Sequence, residues 1–195
     1  MKLMVFVLLV ASGCWAQQMD ERNDPALQVR FYIPHRISIS NEQGRAGKVN
    51  TEWVVLPYIV ERFDHTSKWM GLVVKLAGSK QVLTTGAGGL MFTVDGKQLM
   101  VSPALLAHSH KEESCAQFRC TAMWSLQPRT AAEGAGLVML ARAVADGHEV
   151  YATVFPGDND GGQRFTVQLT DAQLSAFHDV QQYYDSLALA KKIPE

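Results

Sequence analysis

Residues 90–101 read LMFTVDGKQLMV, two apolar runs on either side of Asp95-Gly96. A two-residue turn of type I′ needs positive φ at both central positions, which Asp tolerates and Gly adopts freely. The segment therefore predicts a β-hairpin.

Strand patterns lead up to this hairpin and continue after it. Stretches with the composition of strands are 28–33, 36–40, 53–60, 69–77, 120–126, 149–155 and 163–169. They are rich in Val, Ile, Leu and aromatic residues, which favour strands. Pro57 interrupts one of them, and its missing N–H predicts an edge position or a bulge. Residues 102–118 are mixed in character and predict a loop or a short helix.

Two helices are predicted in the last third of the chain. Thr130…Glu133 and Thr170…Gln173 have the spacing of capping boxes, and apolar residues follow each at helical intervals. Gly147 stands where a left-handed C-cap is expected. Strands that precede helices argue against a doubly wound parallel sheet. The predicted fold class is β-rich α+β, an antiparallel sandwich or bent sheet with two helices in the C-terminal region.

The N-terminus has the pattern of an export signal. Lys2 is followed by a short apolar run, residues 3–11, which is too short to span a bilayer and typical of a removable signal peptide. Cleavage after Ala16 fits the small residues before it. In a second interpretation, Cys14 closes a lipobox and carries a lipid anchor. Either interpretation predicts a periplasmic, secreted or membrane-anchored protein, with the membrane reached only through that anchor.

Composition predicts one globular domain. The chain has 195 residues, of which 47% are hydrophobic and 19% charged, and this composition is not that of a disordered protein. The formal net charge of −1 and the lack of a clustered basic stretch argue against nucleic acid as a partner. We expect a signal peptide over residues 1–16, a flexible tether over 17–27 and a single domain over 28–190.

Cysteine and histidine supply the candidate site residues. Cys115 and Cys120 remain after Cys14 is removed or lipidated, and an even count in an oxidising compartment predicts a disulfide. His108 and His110 alternate in sequence, so in an extended segment both imidazoles could reach one zinc ion. Their spacing is not an established zinc pattern, and a solvated polar loop beside a disulfide is the favoured interpretation, so no cofactor is expected.

The sequence contains no motif that defines a catalytic site. Asp64-His65 could be a base with its orienting acid, but it stands in a turn cluster. The leading hypothesis is therefore an exported, non-enzymatic binding or envelope-associated protein, with an envelope protein or extracellular ligand as its partner. The alternative is an exported metal-binding protein or metal-dependent hydrolase that uses His108 and His110.

The order of motifs over residues 85–187 resembles the invasion-associated locus B family of exported bacterial proteins. A glycine-rich link, an Asp-Gly hairpin, two close cysteines, a capped helix and a final strand–helix pair follow one another. The chain departs from that family at Arg119, which precedes Cys120 where the family has Gly. The resemblance implies an exported protein and assigns no residue a role.

Overall fold

Antiparallel strands make up most of the fold. The computed structural model describes residues 19–35, 40–43, 50–79, 87–116, 119–156 and 164–187. Its strands are β1 (Met19–Asp24), β2 (Val29–Pro34), β3 (Ser40–Gln43), β4 (Asn50–Arg62), β5 (Lys68–Ser79), β6 (Ala87–Val94), β7 (Lys97–Met100), β8 (His110–Ala116), β9 (Arg119–Leu126), β10 (Val150–Pro156) and β11 (Phe165–Gln168). Its helices are α1 (Pro103–Ala107), α2 (Ala131–Asp146) and α3 (Asp171–Ser186).

The described strands form two sheets. The larger sheet has the order β1-β2-β4-β5-β9-β8, with β3 also paired to β4, and the smaller has the order β11-β10-β6-β7. Neighbouring strands are antiparallel in both. The β-rich antiparallel fold is therefore confirmed, and so are the two longer helices near the C-terminus.

One hydrophobic core joins the two sheets and the helices. It contains Val74 of β5, Phe92 of β6 and Phe177 of α3, all of them buried. The Phe92 and Phe177 rings meet nearly edge to face, with 6.4 Å between their centroids, an arrangement that aromatic pairs prefer. Both sheets thus fold around shared apolar surface.

The predicted hairpin is confirmed as β6–β7. Asp95 and Gly96 have φ values of 47° and 82°, and Val94 pairs with Lys97 across the turn. The Asp95 carboxylate also accepts backbone N–H bonds from His148 at 3.1 Å and Glu149 at 2.8 Å. The turn residue therefore also fixes the start of β10.

Pro57 lies within a single strand of 13 residues, β4. On one side it pairs with Leu72 of β5. On the other side, β3 pairs with Asn50–Trp53 and β2 with Ile59–Arg62. Pro57 falls between these two described stretches and so interrupts neither of their ladders, while the predicted edge position stays a prediction.

Gly71 is required by the packing of Tyr58, its direct partner across β4 and β5. A Cβ at Gly71 would stand 2.1 Å from Cζ of the buried Tyr58 ring. The ring thus occupies the space that a side chain at position 71 would need, so Gly71 cannot be replaced unless Tyr58 shifts.

Two segments differ from their predictions. Residues 17–27 were expected to form a tether, yet Met19–Asp24 form β1, antiparallel to β2. The charged composition hid this strand, because its backbone bonds need no apolar side chains at a sheet edge. Within residues 102–118, α1 is the predicted short helix, but His110–Ala116 form an edge strand, β8, whose partner is β9.

The helix caps match the sequence in part. Thr170 and Gln173 form a complete capping box at α3. At α2, the Thr130 hydroxyl accepts the Glu133 N–H, but the Glu133 carboxylate accepts from Arg129 instead of Thr130. Gly147 is extended, with φ −80° and ψ 148°, so the predicted left-handed C-cap is wrong. Glycine is needed there because a Cβ would lie 2.5 Å from Val94 Cγ1.

The signal peptide over residues 1–16, the lipidation site Cys14 and residues 36–39 lie outside the described residues. None of the helices in the described ranges is both long enough and apolar enough to cross a membrane.

Candidate functional site

The first turns of α2 carry small side chains and leave open space on two flanks. Residues 131–136 read AAEGAG. A Cβ added at Gly134 would make ordinary contact with Pro128 at 3.8 Å, and a Cβ at Gly136 would meet nothing within 4 Å. Two clefts form beside the helix at these glycines. From sequence alone, both glycines predict only a weaker helix, because glycine is a poor helix former.

The Lys68 cleft lies on one flank and has a volume of about 560 Å³. Its lining includes Lys68, Trp69, Arg129, Gly134, Val138, Met139 and Tyr184. Met139 is 72% exposed at the wall of the cleft. The volume of the cleft falls in the range of about 300–1,000 Å³ that is usual for small-molecule sites.

The Met100 cleft lies on the other flank and has a volume of about 420 Å³. Its lining includes Met100, Ser102, Leu105, Glu133, Gly136 and Leu140. α1 and the end of β7 supply one wall and α2 the other. Met100 is 59% exposed.

Lys68 lines its cleft and is held by the end of α3. Its ammonium donates hydrogen bonds to the backbone carbonyls of Tyr184 and Leu187 and stands 4.4 Å from the centroid of the Tyr184 ring. Burial lowers the pKa of Lys68, while the charges of Asp185 and Glu61 act to raise it. An ammonium has three N–H donors, so these two carbonyls leave one for another acceptor.

Arg129 also lines the Lys68 cleft and is exposed. Its Nη1 lies 3.5 Å from Nδ1 of His108. Its backbone N–H donates to the Glu133 carboxylate at 2.8 Å, which fixes the chain just before α2. Within the described ranges, neither Arg129 nor Lys68 forms an ion pair with a carboxylate.

A buried carboxylate lies next to this cleft. Glu61 pairs directly with Lys68 across β4 and β5, and its side chain is only 1% exposed. The Tyr32 hydroxyl donates a hydrogen bond to Glu61 Oε2 at 2.8 Å, and His65 Nδ1 lies 2.7 Å from Glu61 Oε1. Both carboxylate oxygens therefore have partners, as a buried charged group requires.

Two tyrosines extend this buried group toward α3. The rings of Tyr32 and Tyr183 pack with centroids 5.0 Å apart. Burial, followed by the hydrogen bond to Glu61, raises the pKa of Tyr32 to about 12. Burial likewise raises the pKa of Tyr183. We call Tyr32, Glu61, His65 and Tyr183 the Glu61 cluster.

The acid that orients His65 is Glu61 and not Asp64. The Asp64 carboxylate instead accepts from the backbone N–H and hydroxyl of Thr66, at 3.0 and 2.7 Å. These bonds lower the pKa of Asp64. The sequence suggested a base with a neighbouring acid, but the turn uses that acid locally, as Asp commonly does.

His108 and His110 have different surroundings. His108 follows α1 and contacts Arg129, whereas His110 begins β8 and its Nε2 lies 3.1 Å from Glu112 Oε1. Over the residues that the structure describes, no three or more His, Cys, Asp or Glu side chains gather as a metal site. Zinc binding at these histidines stays a prediction.

The backbone register places Cys115 of β8 directly opposite Cys120 of β9. Directly opposite residues in antiparallel strands have Cα atoms about 4.5–5.5 Å apart, within the span that a disulfide bridges. The disulfide between Cys115 and Cys120 stays a prediction, and this register is compatible with it.

The chain shows no similarity to known proteins in three comparisons: no protein-family model, no curated protein and no solved structure matches it. The resemblance to the invasion-associated locus B family therefore rests on the order of its motifs alone.

Proposed function

We propose that this chain is an exported, non-enzymatic binding protein and that its ligand occupies the Lys68 cleft. The observation that carries this proposal is an open, largely apolar cleft of small-molecule size whose lining includes an ammonium group. Its walls are Trp69, Val138 and Met139. Aromatic and aliphatic walls with a few placed polar groups are the usual composition of binding sites.

Methionine at the wall suits an adaptable site. The Met139 side chain is unbranched and polarizable, so it can fit ligands of different shapes. Two neighbouring small residues, Gly134 and Ala135, keep the helix backbone close to the open space. These features support a site that accepts an apolar body.

The proposal is tested by filling the cleft from the helix. Gly134→Leu should lower the affinity for octan-1-ol and for octanoate at least about tenfold, since the new side chain occupies the ligand's space. No steric conflict is expected, because a Cβ at Gly134 is in ordinary contact with Pro128. Isothermal titration calorimetry measures both affinities.

Gly136→Leu is the matched control, because it adds the same side chain two residues away and fills the Met100 cleft. It should bind both probes as the wild type does. Binding by Gly134→Leu at wild-type affinity, or no binding of either probe to the wild type, would contradict the proposed function.

Export and anchoring rest on the sequence of residues 1–16. Intact-mass spectrometry of soluble and membrane fractions tests both interpretations of that segment. A soluble species that begins at Gln17 supports free export, and a membrane species with acyl mass on Cys14 supports an envelope-anchored binding protein. A cytoplasmic species that retains residues 1–16 would contradict export.

A further inference from the structure

We infer that the ligand of the Lys68 cleft is a small anionic amphiphile, whose acidic group lies between Lys68 and Arg129 and whose apolar body packs on Trp69, Val138 and Met139. This inference rests on the proposed function, since it names the chemical class that the same cleft takes.

Charge distinguishes this cleft from its neighbour. Among the described residues that line it, Lys68 and Arg129 are cations and none is a carboxylate. The charged residue that lines the Met100 cleft is the carboxylate of Glu133. An anion is therefore attracted to one flank of α2 and repelled from the other, a form of charge complementarity that selects between partners.

Lys68 offers the acidic group one hydrogen-bond donor. Two of its three N–H groups are taken by the carbonyls of Tyr184 and Leu187. The carboxylates that influence it are engaged elsewhere, because Glu61 accepts from Tyr32 and Asp185 contacts Arg142 and Gln181. Partial burial strengthens a charge-assisted hydrogen bond to an incoming anion.

Arg129 offers a second cation to the same acidic group. Its guanidinium presents a planar fork of donors that matches a carboxylate. The recorded side-chain contact is the long one to His108 Nδ1, at 3.5 Å. An acidic group in the cleft can therefore gain hydrogen bonds from Arg129 without breaking an ion pair within the described residues.

A bare anion would leave the apolar wall of the cleft exposed to water. Met139 is 72% exposed, and burying such a side chain against a ligand is worth about 1.5–3 kcal/mol at most. Acetate would gain the charge contacts but not this burial. An amphiphile with a single carboxylate and a short aliphatic chain satisfies both the two cations and the apolar wall, and its size suits about 560 Å³.

The test compares three probes of equal chain length by calorimetry: octanoate, octan-1-ol and octyltrimethylammonium. Octanoate should bind the wild type at least about tenfold more tightly than octan-1-ol, and the cation should bind more weakly than either. Added salt should weaken octanoate binding and leave octan-1-ol binding unchanged, since Arg129 is exposed.

Arg129→Gln should reduce the preference for octanoate to about threefold or less and leave octan-1-ol binding intact. Arg164→Gln is the control, because Arg164 is also an exposed arginine, lies over the Phe155 ring and lines neither cleft. It should retain the preference. Lys68→Met is not used, since Lys68 also binds the last carbonyls of α3.

The outcomes distinguish a failure of the anionic ligand class from a failure of the proposed function. Equal affinity for octanoate and octan-1-ol, with both abolished by Gly134→Leu, overturns the anionic class and leaves the proposed function standing. Octanoate binding that survives Gly134→Leu overturns both, because the ligand then sits elsewhere. A preference that Arg129→Gln removes and Arg164→Gln retains supports the inference.

Discussion

The Lys68 cleft and the Met100 cleft share one helix and differ in what surrounds it. Each opens beside a glycine in the first turns of α2, and each carries an exposed methionine at its wall. The first is lined by an ammonium group that is bound to the last carbonyls of α3, whereas the second is walled by α1, a helix of five residues. Helix α2 leaves space on both flanks, and the neighbouring elements determine the charge and the rigidity of each cleft.

Removing the Glu61 carboxylate tests how firmly the first cleft is supported. Glu61→Ala leaves the Tyr32 hydroxyl and the His65 ring without their buried acceptor. We expect a loss of about 3 kcal/mol in the free energy of unfolding, because the unpaired donors and the vacated space both cost stability. Urea denaturation measures this loss.

Glu133→Ala is the comparison variant on the Met100 side, where the carboxylate accepts only the Arg129 N–H in the described contacts. It should cost about 1 kcal/mol, the usual value of a helix cap. Equal losses in the two variants would contradict the view that the Glu61 cluster supports the fold more strongly.

Alkaline pH should weaken the same cluster. The pKa of Tyr32 is raised from 10.0 to about 12, so the folded state holds this proton more tightly than the unfolded chain. Its contribution is complete below pH 10 and is lost as pH rises toward 12. The pKa difference corresponds to about 2–3 kcal/mol. Denaturation at a series of pH values from neutral to alkaline measures it.

Tyr32→Phe should remove this part of the pH dependence. Lys68, whose pKa is lowered, changes stability in the opposite sense over alkaline pH, but it is present in both proteins and cancels in the comparison. Identical slopes for wild type and Tyr32→Phe would show that the Tyr32–Glu61 bond is not maintained in the folded protein.

The smallest effect concerns the two glycines themselves. Gly136→Ala should stabilise the protein by about 0.5–1 kcal/mol, because alanine is the better helix former and its Cβ meets nothing within 4 Å. Gly134→Ala should gain a similar amount. Thermal unfolding gives both values, and a destabilised variant would mean that the cleft at that glycine is closed by contacts with the added side chain.

The sequence predicted the architecture well where local chemistry decides it. Asp95-Gly96 specifies its turn by φ alone, and Thr170 with Gln173 specifies a helix start. β1 and β8 were missed because they are edge strands with polar side chains, held by backbone bonds that composition does not reveal.

The candidate site was harder to predict because distant segments build it. Glu61, Lys68 and Arg129 come from three parts of the chain, and no motif connects them. Burial of Glu61 depends on Tyr32, which lies 29 residues earlier. By contrast, the most conspicuous cluster in the sequence, His108 with His110, is divided between two elements and faces solvent.

Methionine methyl NMR directly tests whether the ligand binds in the Lys68 cleft and not in the Met100 cleft, because each cleft carries one exposed methionine as a reporter. The protein is labelled at its methionine methyl groups, Met139→Leu and Met100→Leu assign the two signals, and octanoate is titrated. We predict a saturable shift of the Met139 signal and an unchanged Met100 signal. A shift at Met100 alone, or no saturable shift at Met139, would contradict it.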